Sequence, residues 1–287
     1  MDGMVYINGS IVPQQQAKVS VTDYGFLYGY GLFETMRAYG GRVFRLERHV
    51  NRLAESAEFL GIPIDKLELE TAVGNIIQAN RLRDARIRIT VSIGEGGLAP
   101  DPASCTSPTV LVMAGEYKPH PEKVYQRGFR AVVSSLRRNS QSPLSRLKST
   151  SYLESMLARQ EARQADADEA ICLNERGRLA EASMSNLFLV AGGALKTPGL
   201  DSGILPGITR ETVLELAAEL GIRAVEGGIE VDELLRAGEA FLTSSLLEVM
   251  PLVAVDGRPI GDGMPGAITR RLMNEYRRLV EEELSAR

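Results

Sequence analysis

Histidine, cysteine and lysine are all scarce in this chain, and each shortage removes a kind of chemistry. Among 287 residues there are two histidines, His49 and His120. A multi-histidine metal site or a serine-histidine-aspartate arrangement is hard to build from two, so no metal is expected and an enzyme here needs some other base. Two cysteines, Cys105 and Cys172, lie far apart without a CxxC spacing; they indicate neither zinc nor a disulfide framework and read as small core or strand residues. No apolar run approaches about 18 residues and no signal-peptide pattern opens the sequence. A cytoplasmic location away from membranes is the resulting expectation. The net charge is −4 and no basic block occurs, so nucleic acid is not an evident partner.

Lysine supplies only six of the 33 basic residues; the rest are arginine. An amine is needed where a charge must be lost or a covalent bond made, because arginine stays protonated and is a poor nucleophile. That draws attention to Lys148 in "SRLKSTSYLESMLARQEA" (145–162). On this stretch alone, a solvated residue ahead of a helix is the plain alternative.

The length fits one large domain or two smaller ones. "YINGSIVP" predicts a hairpin about Asn8-Gly9. Leu46, Val50, Leu53, Ala57 and Leu60 recur at spacings of four and three, the apolar face of a helix closed by Gly61 and Pro63; Leu69, Val73, Ile76 and Ile77 predict a second. "ARIRITVS" alternates strictly, with Arg86, Arg88, Thr90 and Ser92 on its polar face. "GEYKPHPEKVYQRG" has two prolines and no period. These patterns divide the chain into a small α/β domain over 1–117, a linker over 118–128 and a larger strand-rich domain over 129–287. Ser151 and Glu154 have capping-box spacing ahead of a helix whose apolar face would be Tyr152, Leu153, Met156 and Leu157.

Three further features bear on chemistry. In "GILPGITRE" two glycines permit close backbone approach, and the following helix start presents unpaired N–H groups suited to a phosphate or carboxylate; a plain loop is the alternative. Arg52 accompanies Leu53 on the first predicted helix, where most arginines are solvated. Glu181, between two alanines in a strand-rich stretch, needs a partner if buried and is otherwise an exposed strand residue.

Together, "EASMSNLF" (181–188), "LKT" (195–197) and "LPGITR" (205–210), in that order and spacing, resemble the signature of the class IV aminotransferases. These fold-type IV enzymes use pyridoxal 5'-phosphate and include branched-chain aminotransferases, D-amino-acid aminotransferases and aminodeoxychorismate lyases. The likeness extends through "YGYGLFETMRAYGGRVFRLERHVNRL", "LKSTSYLESMLARQEA" and "VDGRPIGDGMPGAITRRL". It implies an α+β fold with a small α/β N-terminal domain and a strand-rich pseudo-barrel C-terminal domain, in a homodimer. It also implies roles. Lys148 falls at the lysine that binds the cofactor aldehyde and shuttles the α-proton. Glu181 falls at the carboxylate paired with the pyridine nitrogen; a charge pair at ~4 Å and effective dielectric ~20 is worth up to about 4 kcal/mol, which favours the protonated ring as electron sink. Arg52, the N–H groups of Ile208 and Thr209, and Ser245 fall at phosphate-binding positions, and Tyr152 near the cofactor oxygen. Tyr28, Phe33, Thr35 and Arg88 match substrate-pocket positions, with the N–H groups around Ser245 and Leu246 holding a substrate carboxylate.

The implied reaction is transamination between an amino acid, branched-chain L-amino acids favoured, and a 2-oxo acid. Two departures keep rivals open: "FETMR" replaces the usual "FEGIR", and Thr35 with "TSSLLEV" is similar to the lyases. The histidine-containing substrate motif of the D-amino-acid enzymes is not apparent. A cofactor-free binding protein on the inherited fold is the rival of another class, opposed by the joint presence of Lys148, Arg52 and Glu181.

Overall fold

The computed structural model describes residues 3–285. Its chain divides into two compact units, Met1–Lys118 with Leu147–Ser151, and Pro119–Arg146 with Tyr152–Arg287. The stretch expected as a linker carries a short helix, α4 (Glu122–Arg127). The segment holding Lys148 groups with the first unit, although the sequence reading placed it within 129–287.

The first unit is built on a six-stranded antiparallel sheet. Its elements are β1 (Met4–Ile7), β2 (Ser10–Pro13), α1 (Tyr24–Tyr28), β3 (Gly31–Tyr39), β4 (Arg42–Val43), α2 (Leu46–Leu60), α3 (Lys66–Ala79), β5 (Ala85–Ser92) and β6 (Thr109–Glu116), with sheet order β2-β1-β6-β5-β3-β4. Asn8 and Gly9 both take positive φ, as the two-residue hairpin turn between β1 and β2 requires. Leu32 and Met36 of β3 and Ile87, Ile89 and Val91 of β5 share a core with Val50, Leu53 and Ala57 of α2 and Leu69, Val73 and Ile76 of α3. The three- and four-residue spacing thus puts one stripe of each helix on one sheet face. Asp65 caps α3 by accepting from the N–H groups of Leu67 and Glu68. Gly61 stops α2 in the left-handed conformation, and Ile62 N–H returns to Ala57 C=O.

Leu147–Ser151 runs antiparallel along the first residues of β3, with Ser149 opposite Leu32. Phe33 N–H donates to Lys148 C=O at 2.8 Å, and Thr150 N–H donates to Gly31 C=O at 2.8 Å. The backbone of Lys148 is therefore fixed to the sheet by strand pairing.

The second unit holds, besides α4, β7 (Phe129–Arg138), α5 (Leu153–Gln164), β8 (Glu169–Asn174), β9 (Leu179–Ala182), β10 (Asn186–Ala191), β11 (Ala194–Pro198), α6 (Ile208–Glu219), β12 (Ala224–Gly227), α7 (Val231–Leu235), β13 (Glu239–Ser244), β14 (Glu248–Val255), β15 (Arg258–Pro259) and α8 (Ala267–Ser285). Its sheet runs β12-β11-β10-β13-β14-β7-β8-β9, with β15 on β14. β9 lies five strands from β10, which a flat sheet would place about 24 Å away at ~4.8 Å per strand. The chain from Ala182 to Asn186 reaches only about 14 Å when fully extended. The sheet must therefore curl, and Ala182 N–H donates to Ser185 C=O at 2.7 Å in the tight turn that joins the two strands. Phe188 and Phe241, directly paired across β10 and β13, stack at 4.9 Å in the buried interior.

Helix α5 departs from its sequence reading in two ways. Its buried residues are Ser155, Ala158 and Ala162, with Ala158 and Ala162 packed near Ala170 and Cys172 of β8. Leu153, Met156 and Leu157 are exposed. Close approach to the strands selects the small residues and turns the large ones out. No capping box forms either: Tyr152 occupies the N-cap without a side-chain bond, and Ser151 Oγ donates instead to Gly29 C=O at 3.3 Å.

Candidate active site

Each unit contains one buried cluster of charged groups that includes residues expected to act. In the first unit the side chains of β3 alternate. Leu32, Glu34 and Met36 point to the helix-covered face, while Phe33 and Thr35 lie beside Thr90 and Arg88 on the other. Glu34 is a carboxylate among core residues and must be paired. Arg52 Nε donates to Glu34 Oε1 at 2.8 Å and Arg52 Nη2 to Oε2 at 2.7 Å, and His49 Nδ1 lies 2.8 Å from Oε2. His49 and Arg52 are three apart on α2, so both reach the same partner.

Burial alone would raise the Glu34 pKa, but Arg52 and His49 outweigh it and hold the carboxyl at about 2. His49 is shifted below its ordinary value, first by burial and then by the positive charges of Arg52 and Lys148, against the pull of Glu34. On the opposite face the Arg88 guanidinium lies over the Phe33 ring at 3.8 Å and Lys148 Nζ lies 4.8 Å from the same ring. Arg88 Nε also donates to Thr90 Oγ1 at 3.1 Å. The structure thus brings together Lys148, Phe33 and Arg88, with Thr35 directly across from Arg88. Tyr28 ends α1 half exposed, its ring edge-on to Tyr24 at 4.8 Å.

The cluster of the second unit centres on Glu181 of β9. It is buried rather than an exposed strand residue. Arg138 Nη2 reaches Glu181 Oε1 at 3.1 Å, while Asn186 Nδ2 and Leu205 N–H donate to Oε2 at 2.9 and 3.1 Å. Arg138 is itself fixed by the carbonyls of Gly203 and Ser145, at 2.9 and 3.1 Å. The loop Leu205–Gly207 leads into α6, where Gly207 is the N-cap and offers no side-chain bond. A helix start leaves its first N–H groups without intrahelical partners, here on Ile208 and Thr209, both buried.

Asn186 lies directly across from Thr243 of β13, two residues before Ser245 in the chain. Thr243 Oγ1 and Ser185 Oγ are buried and make no hydrogen bond among the described residues. Tyr152 Oη donates to Ser183 C=O at 3.4 Å, and Ser183 Oγ donates to the buried Glu169 carboxylate. Burial first, then the charge of Glu181, pushes the Tyr152 phenol up to about 12. Burial raises Glu169 despite its hydrogen bonds and Arg159 nearby.

Glu34, Arg138 and Asn186 were not singled out from sequence, and His49 was noted only for its rarity. A signal existed for Glu34: it occupies a core-facing position between Leu32 and Met36 in a strand. Arg138 gave none, since its partner lies 43 residues away in the chain. Among the described residues no cluster of potential metal ligands occurs, and no helix is long and apolar enough to cross a membrane.

The family model described as amino-transferase class IV matches residues 31–255. A branched-chain-amino-acid aminotransferase of Pseudomonas aeruginosa is 37% identical over 294 residues, covering 99% of this chain and 95% of the relative. An aminodeoxychorismate lyase of Bacillus subtilis is 34% identical over 282 residues, covering 97% and 95%. Among solved structures, the T.th. branched-chain amino acid aminotransferase with pyridoxamine 5'-phosphate superposes with a TM-score of 0.93 at 35% identity, covering 98% of this chain and 94% of that one. The mixed α/β architecture with two sheets agrees with that likeness, and the chain belongs to the class IV amino-transferase family.

Proposed function

We propose that this protein is a pyridoxal-phosphate-dependent transaminase that moves an amino group between an amino acid, with branched-chain L-amino acids favoured, and a 2-oxo acid. The observation that carries the reading is the setting of Lys148: an amine whose backbone is paired to β3 and whose side chain shares the Phe33 ring with Arg88. When bound, pyridoxal 5'-phosphate supplies a carbonyl for the amino group and a ring that accepts the electron pair left at the substrate carbon.

The donor set fits such a group. A phosphate requires cations and N–H donors; in this reading Arg52 of the first unit and, in the second, the start of α6 and the Ser245 turn are assigned that part. The buried hydroxyls of Ser185 and Thr243, without partners among the described residues, are the kind of group a polar ligand satisfies. A ring nitrogen requires a fixed carboxylate, and Glu181 is one. In this reading Lys148 Nζ takes the proton from the substrate carbon and returns it. Arg52 and the N–H groups of Ile208 and Thr209 anchor the phosphate, Glu181 holds the ring-nitrogen proton, and Tyr152, with its raised pKa, remains a hydrogen-bond donor near the cofactor oxygen. Phe33, Thr35, Arg88 and Tyr28 shape the substrate site, and the N–H groups of Ser245 and Leu246 receive the substrate carboxylate. The reading extends to a cytoplasmic homodimer; the exposed apolar residues Val21, Phe26 and Leu153 are suited to being covered by a second copy.

The test is half-reaction spectroscopy on the purified protein with a panel of amino donors of both hands. A yellow protein whose absorbance shifts with L-leucine and L-glutamate, and whose Lys148→Ala variant loses turnover by about 10²-fold or more, is expected. A colourless protein that stays so after incubation with the cofactor overturns it, and a response to D-alanine alone overturns the substrate preference. A second reading, aminodeoxychorismate lyase, is favoured by Thr35 and by the likeness to the Bacillus subtilis lyase. Pyruvate release from aminodeoxychorismate without any 2-oxo acid selects it.

A further inference from the structure

Asn186 opens β10 and touches both ends of the second cluster. One amide hydrogen goes to Glu181 Oε2 at 2.9 Å and the other to Leu205 C=O at 3.0 Å. Leu205 N–H returns to the same carboxylate oxygen at 3.1 Å, closing a ring of carboxylate, amide and loop. Both partners of the amide nitrogen are acceptors, which fixes the orientation of the side chain.

Two residues after Leu205, Gly207 is the N-cap of α6, and a Cβ built on it would overlap Asn186 Oδ1. Gly207 has φ −77° and ψ 131°, a conformation any residue adopts, so glycine is required there for space and not for backbone freedom. The side chain of Asn186 is thus wedged between the acid and the helix start, bonded to one and in contact with the other. It is 5% exposed and replaces water around the carboxylate with a donor of fixed direction.

We infer that Asn186 is a positioning residue: it sets the spacing between Glu181 and the N-terminal end of α6, so that the two act together on a single molecule carrying a basic ring nitrogen and a phosphate. The inference rests on the proposed cofactor role. A ligand with both groups gains over either group alone because the second contact forms within an already bound molecule. That gain exists only where the two contact points are held at the ligand's own spacing. Asn186 engages both the carboxylate and the segment Leu205–Gly207 that enters the helix, and it engages that segment twice, through Leu205 C=O and against Gly207.

The experiment titrates the full-length chain with pyridoxal 5'-phosphate, with pyridoxal and with inorganic phosphate, in wild type, Asn186→Ala and Gly207→Ala. The expected result is selective. Asn186→Ala weakens pyridoxal 5'-phosphate by about 10–100-fold, while each part alone changes by less than about threefold. Gly207→Ala, which displaces the amide without removing it, shows the same pattern. In the double variant Gly207→Ala costs less than in wild type, because its clash partner is gone.

Unchanged affinity for pyridoxal 5'-phosphate in Asn186→Ala overturns the inference. Equal weakening of all three ligands also overturns it, since that is what simple support of the fold produces. If Asn186→Ala does not fold, Gly207→Ala decides alone by the same two criteria. Failure of the wild type to bind pyridoxal 5'-phosphate is a different result: it sinks the proposed cofactor, and the inference with it.

Discussion

The two buried carboxylates, Glu34 and Glu181, are braced in opposite ways. Glu34 is surrounded by charged or chargeable side chains from one helix, and its partner Arg52 is the more exposed of the pair, at 11% against 1%. The carboxylate there secures a cation. The partners of Glu181 include an arginine, a neutral amide and a backbone N–H, from three separate parts of the chain. In that cluster the neighbours secure the carboxylate. The same residue type serves once as brace and once as the braced group, and the difference lies in what surrounds it.

The comparison is tested most severely by removing each charge in turn. Glu34→Gln leaves Arg52 without its carboxylate inside the core, and the expected loss is about 3–5 kcal/mol of folding stability by urea denaturation. Glu181→Gln is expected to cost less, about 1–3 kcal/mol. Arg138 keeps the carbonyls of Gly203 and Ser145, and the amide that replaces the carboxylate still offers an acceptor. Equal losses would remove the distinction between the two clusters.

Acid gives a related contrast. Because the Glu34 carboxyl is held at about 2, the unfolded chain binds its proton first. The stability Glu34 contributes is complete above the ordinary glutamate range and is lost as pH falls from there toward about 2. His49, also shifted down, acts in the same direction at higher pH: its share is present above its ordinary value of 6.5 and declines below it. Urea midpoints between pH 7 and 3 should therefore fall in two steps. The share of the lower step that Glu34 supplies should amount to no more than about 3 kcal/mol and be missing from Glu34→Gln, which keeps the part due to Glu161 and Glu175, also shifted down by their serine hydrogen bonds. A flat profile in wild type would mean that neither group is perturbed.

The two regions also differ in how legible they are in the sequence. Helices α2 and α3, strand β5 and the Asn8-Gly9 turn follow from periodicity and turn chemistry, which are local. Lys148, Arg52 and Glu181 stood out through the likeness to the class IV family, while their surroundings did not. Glu34 pairs with residues 15 and 18 positions away, and Arg138 with one 43 away; no spacing rule spans such distances. Helix α5 misled in another way. Its large apolar residues formed the obvious stripe, yet alanines and a serine face the strands, because backbone proximity rewards small side chains and is invisible in a hydrophobicity pattern. The return of Leu147–Ser151 to β3 is likewise a tertiary pairing, with nothing in its sequence to distinguish it from the lead-in to a helix.

Tyr152 sharpens the contrast on the side of the second cluster. Its hydroxyl makes a long bond to Ser183 C=O, so Tyr152→Phe should cost no more than about 1.5 kcal/mol in stability. Its phenol, held at about 12, should titrate late in an ultraviolet absorbance scan. Loss of one late-titrating tyrosine in the variant identifies it, while Tyr6, also raised to about 12, is expected to keep its late titration.

The smallest effect belongs to Ser151 and bears on which region its segment serves. Were Ser151 the cap of α5, its replacement by alanine would remove an acceptor from the helix start and cost about 1 kcal/mol. Its hydroxyl instead donates to Gly29 C=O at 3.3 Å, on an exposed surface where water can replace it. Thr150 Oγ1 donates to the same carbonyl at 2.9 Å and would remain. Ser151→Ala should therefore change stability by less than about 0.5 kcal/mol. Thr150→Ala removes the shorter of the two bonds and should cost more. If Ser151→Ala proved the costlier change, by the full value of a cap, the residue would belong with the helix that follows it rather than with the strand pairing that holds Lys148.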